Sequence, residues 1–350
     1  MNFKYNKTII IFLKYGIKLI IPILWNTTYY SIISELKFIS IIENRLFFHS
    51  KSYYLSHFKR QKLKSSIKII ECPRDAMQGI KPFIPTEKKV KYIQSLLRVG
   101  FDTIDFGSFV SPKAIPQMQD TVEVLAQLDL SQTTSKLLAI IANTKGAENA
   151  SVHKEIQYLG FPFSISENFQ MRNTHKTIAE SLVTLQEILE IADKTNKEVV
   201  TYISMGFGNP YGDAWNVEIV GEWTEKLANM GVKILSLSDT VGSSTPEVID
   251  HLFSNLIPKY PNIEFGAHLH TTPDKWFEKI DAAYNAGCRR YDGAIQGFGG
   301  CPMAKDDLTG NMPTEKLLSY FTTKKENTNT SPMSFESAYN EATKLFSEFH

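Results

Sequence analysis

Residues 264–295 read EFGAHLHTTPDKWFEKIDAAYNAGCRRYDGAI, and this stretch contains a strand–helix–strand unit. Segments 264–270 and 289–295 are short and bounded by turn residues, as expected for strands. Between them, 275–287 has apolar residues at helical spacing and ends in Gly287, a typical helix C-cap. A strand, a helix and a second strand form the repeating unit of α/β folds.

The same alternation runs upstream through most of the chain. Further strand candidates lie at 66–71, 102–106, 136–142, 162–166, 199–205 and 234–239. Further helix candidates lie at 86–100, 177–195, 216–231 and 245–257. Eight strands alternating with helices over about 255 residues predict an α/β fold, the (β/α)8 TIM barrel. An open doubly wound sheet is the alternative, but the GxGxxG that often follows its first strand is absent here.

The chain is expected to have three parts. Residues 1–62 form an N-terminal extension outside the folded domain, 63–323 the catalytic barrel, and 324–350 a polar linker with an extra C-terminal helix. The first 60 residues carry nine Lys or Arg against two Glu and no Asp. The apolar stretch 8–25 contains two lysines, each costing several kcal/mol near a bilayer centre. Organelle targeting, membrane association and a misplaced translation start remain open for this extension.

The amino-acid composition limits which binding partners and which cellular compartment we expect for the protein. The 350 residues are 43% hydrophobic and carry a formal net charge of +1, which gives no electrostatic basis for nucleic-acid binding. The three cysteines, Cys72, Cys288 and Cys301, are an odd and sparse set that fits a reducing compartment better than a disulfide framework. We therefore expect a cytoplasmic protein with neither a nucleic-acid partner nor a membrane partner.

Reactive side chains follow the predicted strands at one end. Active sites of TIM barrels lie at the carboxyl ends of the strands. The candidates there are Arg74, Asp75, Gln78, Asp105, Asn143, Ser204, Asp239, Thr240, His268, His270, Cys301 and Asn311. Surface loops are polar in any protein, so polarity alone does not indicate an active site. The residue types are more specific: two histidines, several acids, an arginine and a cysteine.

The HLH sequence at 268–270 has a specific geometry. Residues i and i+2 of a strand point to the same side, so both imidazoles can face one point above the barrel. Imidazoles bind divalent metals, and a carboxylate completes a mixed nitrogen and oxygen site. Asp75 is the natural carboxylate for it. The alternative is one histidine packed in the core and the other exposed to solvent.

Three other residues have competing interpretations. Arg74 could stabilise a developing enolate oxygen, or form a surface ion pair worth ~0–1 kcal/mol. Asp239 could contact substrate, or merely cap the helix that begins near Thr245. Cys301 lies in the loop 297–311, GFGGCPMAKDDLTGN. It could be an inert small residue, or an acid or base delivered when the loop closes.

Five segments together resemble a known family. They are PRDAMQ (73–78), SFVSPKAIPQMQD (108–120), SDTVGSSTP (238–246), HLH (268–270) and GFGGCPMA…TGNMPTE (297–315). With them, the sequence resembles the 3-hydroxy-3-methylglutaryl-CoA lyase family of metal-dependent barrels, from about residue 66 to about residue 321. The SFVSPK and GGCP segments resemble the lyases rather than the related isopropylmalate and homocitrate synthases.

The resemblance implies a lyase of leucine degradation that cleaves 3-hydroxy-3-methylglutaryl-CoA into acetyl-CoA and acetoacetate by a metal-assisted retro-Claisen reaction. The implied metal is Mg²⁺ or Mn²⁺, and the implied ligands are Asp75, His268, His270 and Asn311. The implied catalytic residues are Arg74 at the enolate oxygen, Asp75, Asp105 near the metal and Cys301 in proton transfer. From their positions at the predicted strand ends, Gln78, Asn143, Ser204, Asp239 and Thr240 are expected to contact an acyl-CoA substrate. A homodimer is left open.

The sequence departs from the family pattern at several positions. Asp105 is one methylene shorter than the usual glutamate, and Thr271 stands where an aspartate often follows the second histidine. Ala76 replaces a usual glycine, and the loop after Cys301 is longer. Two other functions therefore stay open: a related condensing enzyme or aldolase, and a non-catalytic membrane-associated scaffold.

Overall fold

The computed structural model describes residues 8–12, 18–22, 66–300 and 309–349. The chain divides into two units between Lys64 and Ser65, and each is described by itself. In the first, Thr8–Phe12 and Lys18–Pro22 pair as antiparallel strands. None of the helices in the described ranges is long and apolar enough to cross a membrane.

The second unit contains a closed barrel of eight parallel strands in chain order, with β8 pairing back to β1. The strands are β1 (Lys68–Glu71), β2 (Thr103–Ser108), β3 (Lys136–Ile140), β4 (Ile156–Ser164), β5 (Glu198–Ser204), β6 (Ile234–Ser238), β7 (Glu264–His268) and β8 (Arg290–Gly293). The predicted (β/α)8 barrel is thus confirmed.

Helices follow the strands and cover the outside of the barrel. They are α1 (Pro73–Gln78), α2 (Thr86–Leu97), α3 (Thr121–Gln127), α4 (Thr144–Ser151), α5 (Glu167–Thr174), α6 (Ile178–Lys194), α7 (Val217–Asn229), α8 (Pro246–Lys259), α9 (Trp276–Asn285), α10 (Thr314–Thr323) and α11 (Pro332–Phe349). The extra C-terminal helix, α11, packs on α2, where the rings of Tyr92 and Phe346 meet edge to face at 5.8 Å.

Most strand bounds differ from the sequence prediction by one or two residues, and two differences need comment. β4 begins at Ile156 rather than at 162; the prediction started too late because Gly160, which lies inside the strand, reads as a strand breaker. β7 ends at His268, so His270 is not part of it. Residues His270–Thr271 instead pair with Gly310–Asn311 in a separate two-stranded ladder. This second difference matters for the site, because the ladder rather than β7 fixes the backbone of His270.

A buried carboxyl group links the end of β1 to two segments that follow β8 in the chain. Glu71, at the end of β1, is fully buried. It accepts hydrogen bonds from the Ile295 backbone N–H at 3.0 Å and from the Thr314 hydroxyl at 2.6 Å. Burial raises the pKa of Glu71 to about 8, although both hydrogen bonds oppose the shift. The folded protein therefore holds a proton on this carboxyl group at pH values where an unfolded chain has released it.

This proton makes stability depend on pH. Between the ordinary glutamate pKa of about 4.3 and the folded pKa of about 8, the folded state binds more protons than the unfolded state. The free energy of unfolding should therefore fall as pH rises through that window, by at most about 1.4 kcal/mol per unit from this group. Glu71→Gln should flatten the slope, because the amide does not titrate in this range. Its oxygen can still accept the Ile295 N–H, and its NH2 group can donate to the Thr314 hydroxyl.

Urea unfolding at several pH values between 5 and 8 tests this expectation. Glu190 is exposed on α6, and Glu190→Gln is the matched control that should keep the wild-type slope. Equal slopes for wild type and Glu71→Gln would contradict the assignment of the proton to Glu71.

Candidate active site

The site begins directly after β1. Pro73 occupies the first turn of α1, where a missing backbone N–H costs no hydrogen bond. The short helix starts so close to the strand that Arg74 and Asp75 both stand at the carboxyl-end mouth of the barrel. Both side chains are only 9% exposed. Charged groups so deeply buried are expected to have specific partners.

Asp75 meets the two histidines of the HLH sequence. One ligand atom from each of Asp75, His268 and His270 lies within 4.8 Å of the other two. The two imidazole ring centroids are 5.3 Å apart. A single ion could therefore contact all three side chains, and their role as metal ligands stays a prediction.

The charges of this cluster suit a cation. Burial alone would raise the pKa of Asp75, but Arg74, the two histidines and a hydrogen bond from Asn311 lower it overall. Burial, with His268 nearby, lowers the pKa of His270 to about 4, so its ring is neutral near pH 7. The His270 Nε2 atom is buried and has no hydrogen-bond partner among the described residues. A buried ring nitrogen without a partner is satisfied by a metal ion, so these residues fit a divalent cation.

A carboxylate on β8 orients the first histidine. The Asp292 Oδ2 atom lies 3.0 Å from the His268 Nδ1 atom, and Asp292 is 3% exposed. A carboxylate at this nitrogen favours the tautomer that leaves Nε2 free to bind a metal. Our sequence analysis missed Asp292. Its position two residues after Arg290 on a predicted strand, beside the strand that carries His268, was the signal that could have found it.

Asn311 joins the cluster from the far end of the glycine-rich loop. Its Nδ2 atom donates to Asp75 Oδ2 at 2.6 Å and to the Phe298 carbonyl at 2.9 Å. The loop passes closely over the site at Gly299, which has a φ of +94°. A Cβ there would lie 2.7 Å from both the Asn311 Nδ2 atom and the Asp75 carbonyl oxygen. Only glycine fits this backbone, which explains one of the glycines in the loop.

Arg74 is held in place by carboxylates. Its Nε atom donates to Asp105 Oδ2 at 3.0 Å, and its Nη1 atom donates to Asp75 Oδ1 at 2.9 Å and Gln78 Oε1 at 2.8 Å. Asp105 is 1% exposed, and burial raises its pKa to about 6 against the charge of Arg74. The Asp105 carboxyl group therefore fixes the guanidinium and does not reach the cavity.

One cavity opens above the cluster. Its polar lining includes Arg74, Asp75, Gln78, Asn173, Thr174, Tyr202, Ser204, Ser238, Thr240, His268 and His270. Its apolar lining includes Val110, Ala114, Ile115, Ile140, Pro162 and Phe169. A polar floor with an apolar wall suits a small acyl group that carries polar oxygens.

The structure brings most of the predicted site residues together. Seven of them line the cavity: Arg74, Asp75, Gln78, Ser204, Thr240, His268 and His270. Asn311 bonds to Asp75, and Asp105 to Arg74, directly behind that lining. Cys301 lies outside the described residues.

Two predicted substrate contacts lie elsewhere. The Asn143 Oδ1 atom accepts the Gly146 backbone N–H at 2.8 Å and caps α4. Asp239 is 1% exposed and pairs with Lys279 and Ser244. Neither side chain lines the cavity, and the geometry gives both a structural role instead. Their contact with substrate stays a prediction.

A closed barrel with two imidazoles, a carboxylate and a buried arginine at its mouth defines a metal-dependent barrel enzyme. Residues 67–340 match the family model described as HMGL-like. The chain belongs to this family, so the resemblance seen in the sequence is confirmed.

Several relatives have the same activity in their names. The chain is 32% identical to hydroxymethylglutaryl-CoA lyase YngG of Bacillus subtilis, over 70% of this chain and 81% of that protein. It is 33% identical to the mitochondrial hydroxymethylglutaryl-CoA lyase of Homo sapiens, over 73% and 78% respectively. Among solved structures, an HMG-CoA lyase from Acinetobacter baumannii in complex with coenzyme A and 3-methylmalate superimposes with a TM-score of 0.75 at 27% identity. That match covers 81% of this chain and 92% of the other.

Proposed function

We propose that this protein is a carbon–carbon lyase that cleaves 3-hydroxy-3-methylglutaryl-CoA into acetyl-CoA and acetoacetate. The observation that carries the proposal is the Asp75, His268 and His270 cluster, within 4.8 Å, beside Arg74 in one cavity. It occurs in a chain whose relatives are named for this reaction.

Asp75, His268, His270 and Asn311 would hold the divalent cation. We propose Mg²⁺ or Mn²⁺, the ions that the family resemblance implies, and the carboxylate oxygens of Asp75 suit either of them. The bound cation would supply a Lewis acid that lowers the pKa of the substrate's tertiary hydroxyl group. The lowered pKa of Asp75 keeps its carboxyl group ionised, so it serves as a ligand rather than as a proton donor.

Arg74 would stabilise the charge that develops when the carbon–carbon bond breaks. The two electrons of that bond pass to the departing acetyl-CoA, which becomes an enolate. A fixed guanidinium at the enolate oxygen stabilises this charge without reorganisation during the reaction. The bonds from Arg74 to Asp105, Asp75 and Gln78 hold it in position before substrate arrives.

We further propose that Cys301 returns a proton to the enolate carbon, as the resemblance implies. A thiol in a Gly-Gly-Cys-Pro turn has little packing to lose. Cys301→Ala should therefore lower turnover by about 10²–10⁴-fold and leave unfolding free energy and metal affinity close to wild type. Steady-state rates, urea unfolding and Mn²⁺ titration check this. Equal losses of rate and stability would show a structural role instead.

The finer assignments follow from the proposed reaction. The substrate partner is an acyl-CoA, and the reaction is one of leucine degradation. Residues 63–323 form the catalytic part of the chain. We propose a cytoplasmic location, supported by the free, buried thiols of Cys72 and Cys288, and a homodimer is the assembly to test first.

The direct test is product analysis with the full chain. After chelation and reloading with Mg²⁺ or Mn²⁺, the protein is mixed with the hydroxymethylglutaryl thioester, and acetoacetate is measured. We expect metal-dependent release of acetoacetate and acetyl-CoA in equal amounts. No acetoacetate from fully metal-loaded protein would reject the lyase reaction. Condensation of acetyl-CoA with a 2-oxo acid under the same conditions would favour the synthase alternative.

A further inference from the structure

Lys279, on the inner face of α9, is a buried ammonium group with three partners. The side chain is 1% exposed. Its Nζ atom donates to Asp239 Oδ2 at 2.8 Å, to the His270 carbonyl at 2.8 Å and to the Gly242 carbonyl at 3.1 Å. All three of its N–H groups are used. None of the mechanistic steps above involves this residue.

Both oxygens of the Asp239 carboxylate also accept hydrogen bonds. Its Oδ1 atom accepts the Ser244 backbone N–H at 3.0 Å, and Oδ2 accepts the Ser244 hydroxyl in addition to Lys279. The Asp239 backbone N–H also donates to the His268 carbonyl at 2.9 Å. The ion pair therefore lies between the end of β6 and the segment that carries both histidines.

The bond from Lys279 to the His270 carbonyl has a specific consequence. His270 lies beyond the end of β7, so strand pairing within the barrel does not fix its backbone. The described residues hold it on one side through the ladder with Asn311 and on the other through Lys279. The direction of the His270 ring depends on this backbone.

The Lys279 ammonium group is also connected, through Gly242, to residues 309–311, which we call the Asn311 arm. Gly242, which Lys279 also binds, packs so closely on Thr309 that a Cβ would lie 2.5 Å from its methyl group. The Thr309 hydroxyl donates to the Val241 carbonyl at 3.3 Å. The turn 239–242 thus connects Lys279 to the chain two residues before Asn311.

We propose that Lys279 is a positioning residue of the metal site. It fixes the His270 backbone directly and the Asn311 arm through the turn 239–242, without touching metal or substrate. Asp239 provides the countercharge that lets an ammonium group occupy this buried place. The inference rests on the metal site of the proposed function, but not on the reaction.

Two single variants and their combination test this. Lys279→Met leaves the Asp239 charge buried without its partner and should lower both stability and Mn²⁺ affinity, the latter about 10–100-fold. Asp239→Asn removes the countercharge of Lys279 and should also lower stability, but it keeps the bond from Lys279 to the His270 carbonyl, so Mn²⁺ affinity should fall less than in Lys279→Met. The double variant buries no unpaired charge and should recover stability, while its Mn²⁺ affinity should stay as weak as in Lys279→Met.

Mn²⁺ titration calorimetry and urea unfolding are the two readouts. Lys275→Met, on an exposed neighbour at the start of α9, is the matched control and should change neither. If Lys279→Met fails to fold, the Mn²⁺ affinity of the double variant alone tests the inference. A double variant that binds Mn²⁺ as tightly as wild type would overturn the inference and leave the proposed reaction standing. Weak binding by the double variant, together with no acetoacetate from wild type, would support the inference and reject the reaction.

Discussion

Arg74→Gln is expected to lower turnover by about 10²–10³-fold, the usual effect of removing a preorganised group that stabilises a transition-state charge. The guanidinium lines the cavity beside Asp75, and Asp105 fixes its direction. Glutamine carries no charge to place at an enolate oxygen. Mn²⁺ binding should persist, because a guanidinium next to a cation site repels the cation and its removal does not weaken the site.

Stability must be separated from catalysis in this variant. Without Arg74, the Asp105 carboxyl group is buried beside no countercharge, and breaking such a pair costs about 3–5 kcal/mol. In the double variant Arg74→Gln with Asp105→Asn, that cost should largely disappear while turnover stays low. Recovery of the rate together with stability would show that Arg74 acts only by holding the fold.

His270→Ala should abolish tight metal binding and, with it, metal-dependent turnover. In the part of the chain that the structure describes, the buried His270 Nε2 atom has no hydrogen-bond partner, and its ring is neutral near pH 7. Removing one of four proposed side-chain ligands leaves a single imidazole, so we expect Mn²⁺ affinity to fall by more than about 100-fold, beyond the usual effect of an outer-shell change. Titration calorimetry of the chelated protein measures this directly.

His251→Ala is the matched control for the histidine variant. His251 is exposed on α8 and belongs to no group of possible metal ligands among the described residues. It should bind Mn²⁺ with wild-type affinity. If His270→Ala also kept wild-type affinity, the ion would have to bind elsewhere and the ligand assignment would be wrong.

The sequence predicted the barrel because its signals are local. Short apolar strands and amphipathic helices are encoded by nearby residues, as the unit at 264–295 shows. The short helices α1, α3, α4 and α5 were not predicted, because six to eight residues give too little periodicity to read. The end of β7 was misplaced because HLH alternates like a strand, whereas the ladder with Gly310–Asn311 that separates His270 forms between residues far apart in the chain.

The sequence predicted those site residues whose place in the site follows from their position at a strand end. The HLH sequence and Asp75 lie at strand ends, and a barrel brings strand ends together. Asp239 also lies at a strand end, yet its side chain faces Lys279, which follows it by 40 positions. The direction of the Asp239 side chain depends on how helix α9 packs against the strand end, so no local sequence pattern could predict it. Asp292 was missed for a similar reason, because its role depends on a neighbouring strand.

Anomalous diffraction from crystals of the Mn²⁺-loaded protein tests the central claim most directly. We predict one strong anomalous peak at about 2.0–2.3 Å from a carboxylate oxygen of Asp75 and a ring nitrogen of each of His268 and His270. A peak bound by other side chains, or no peak in crystals of protein that is active with Mn²⁺, would contradict it.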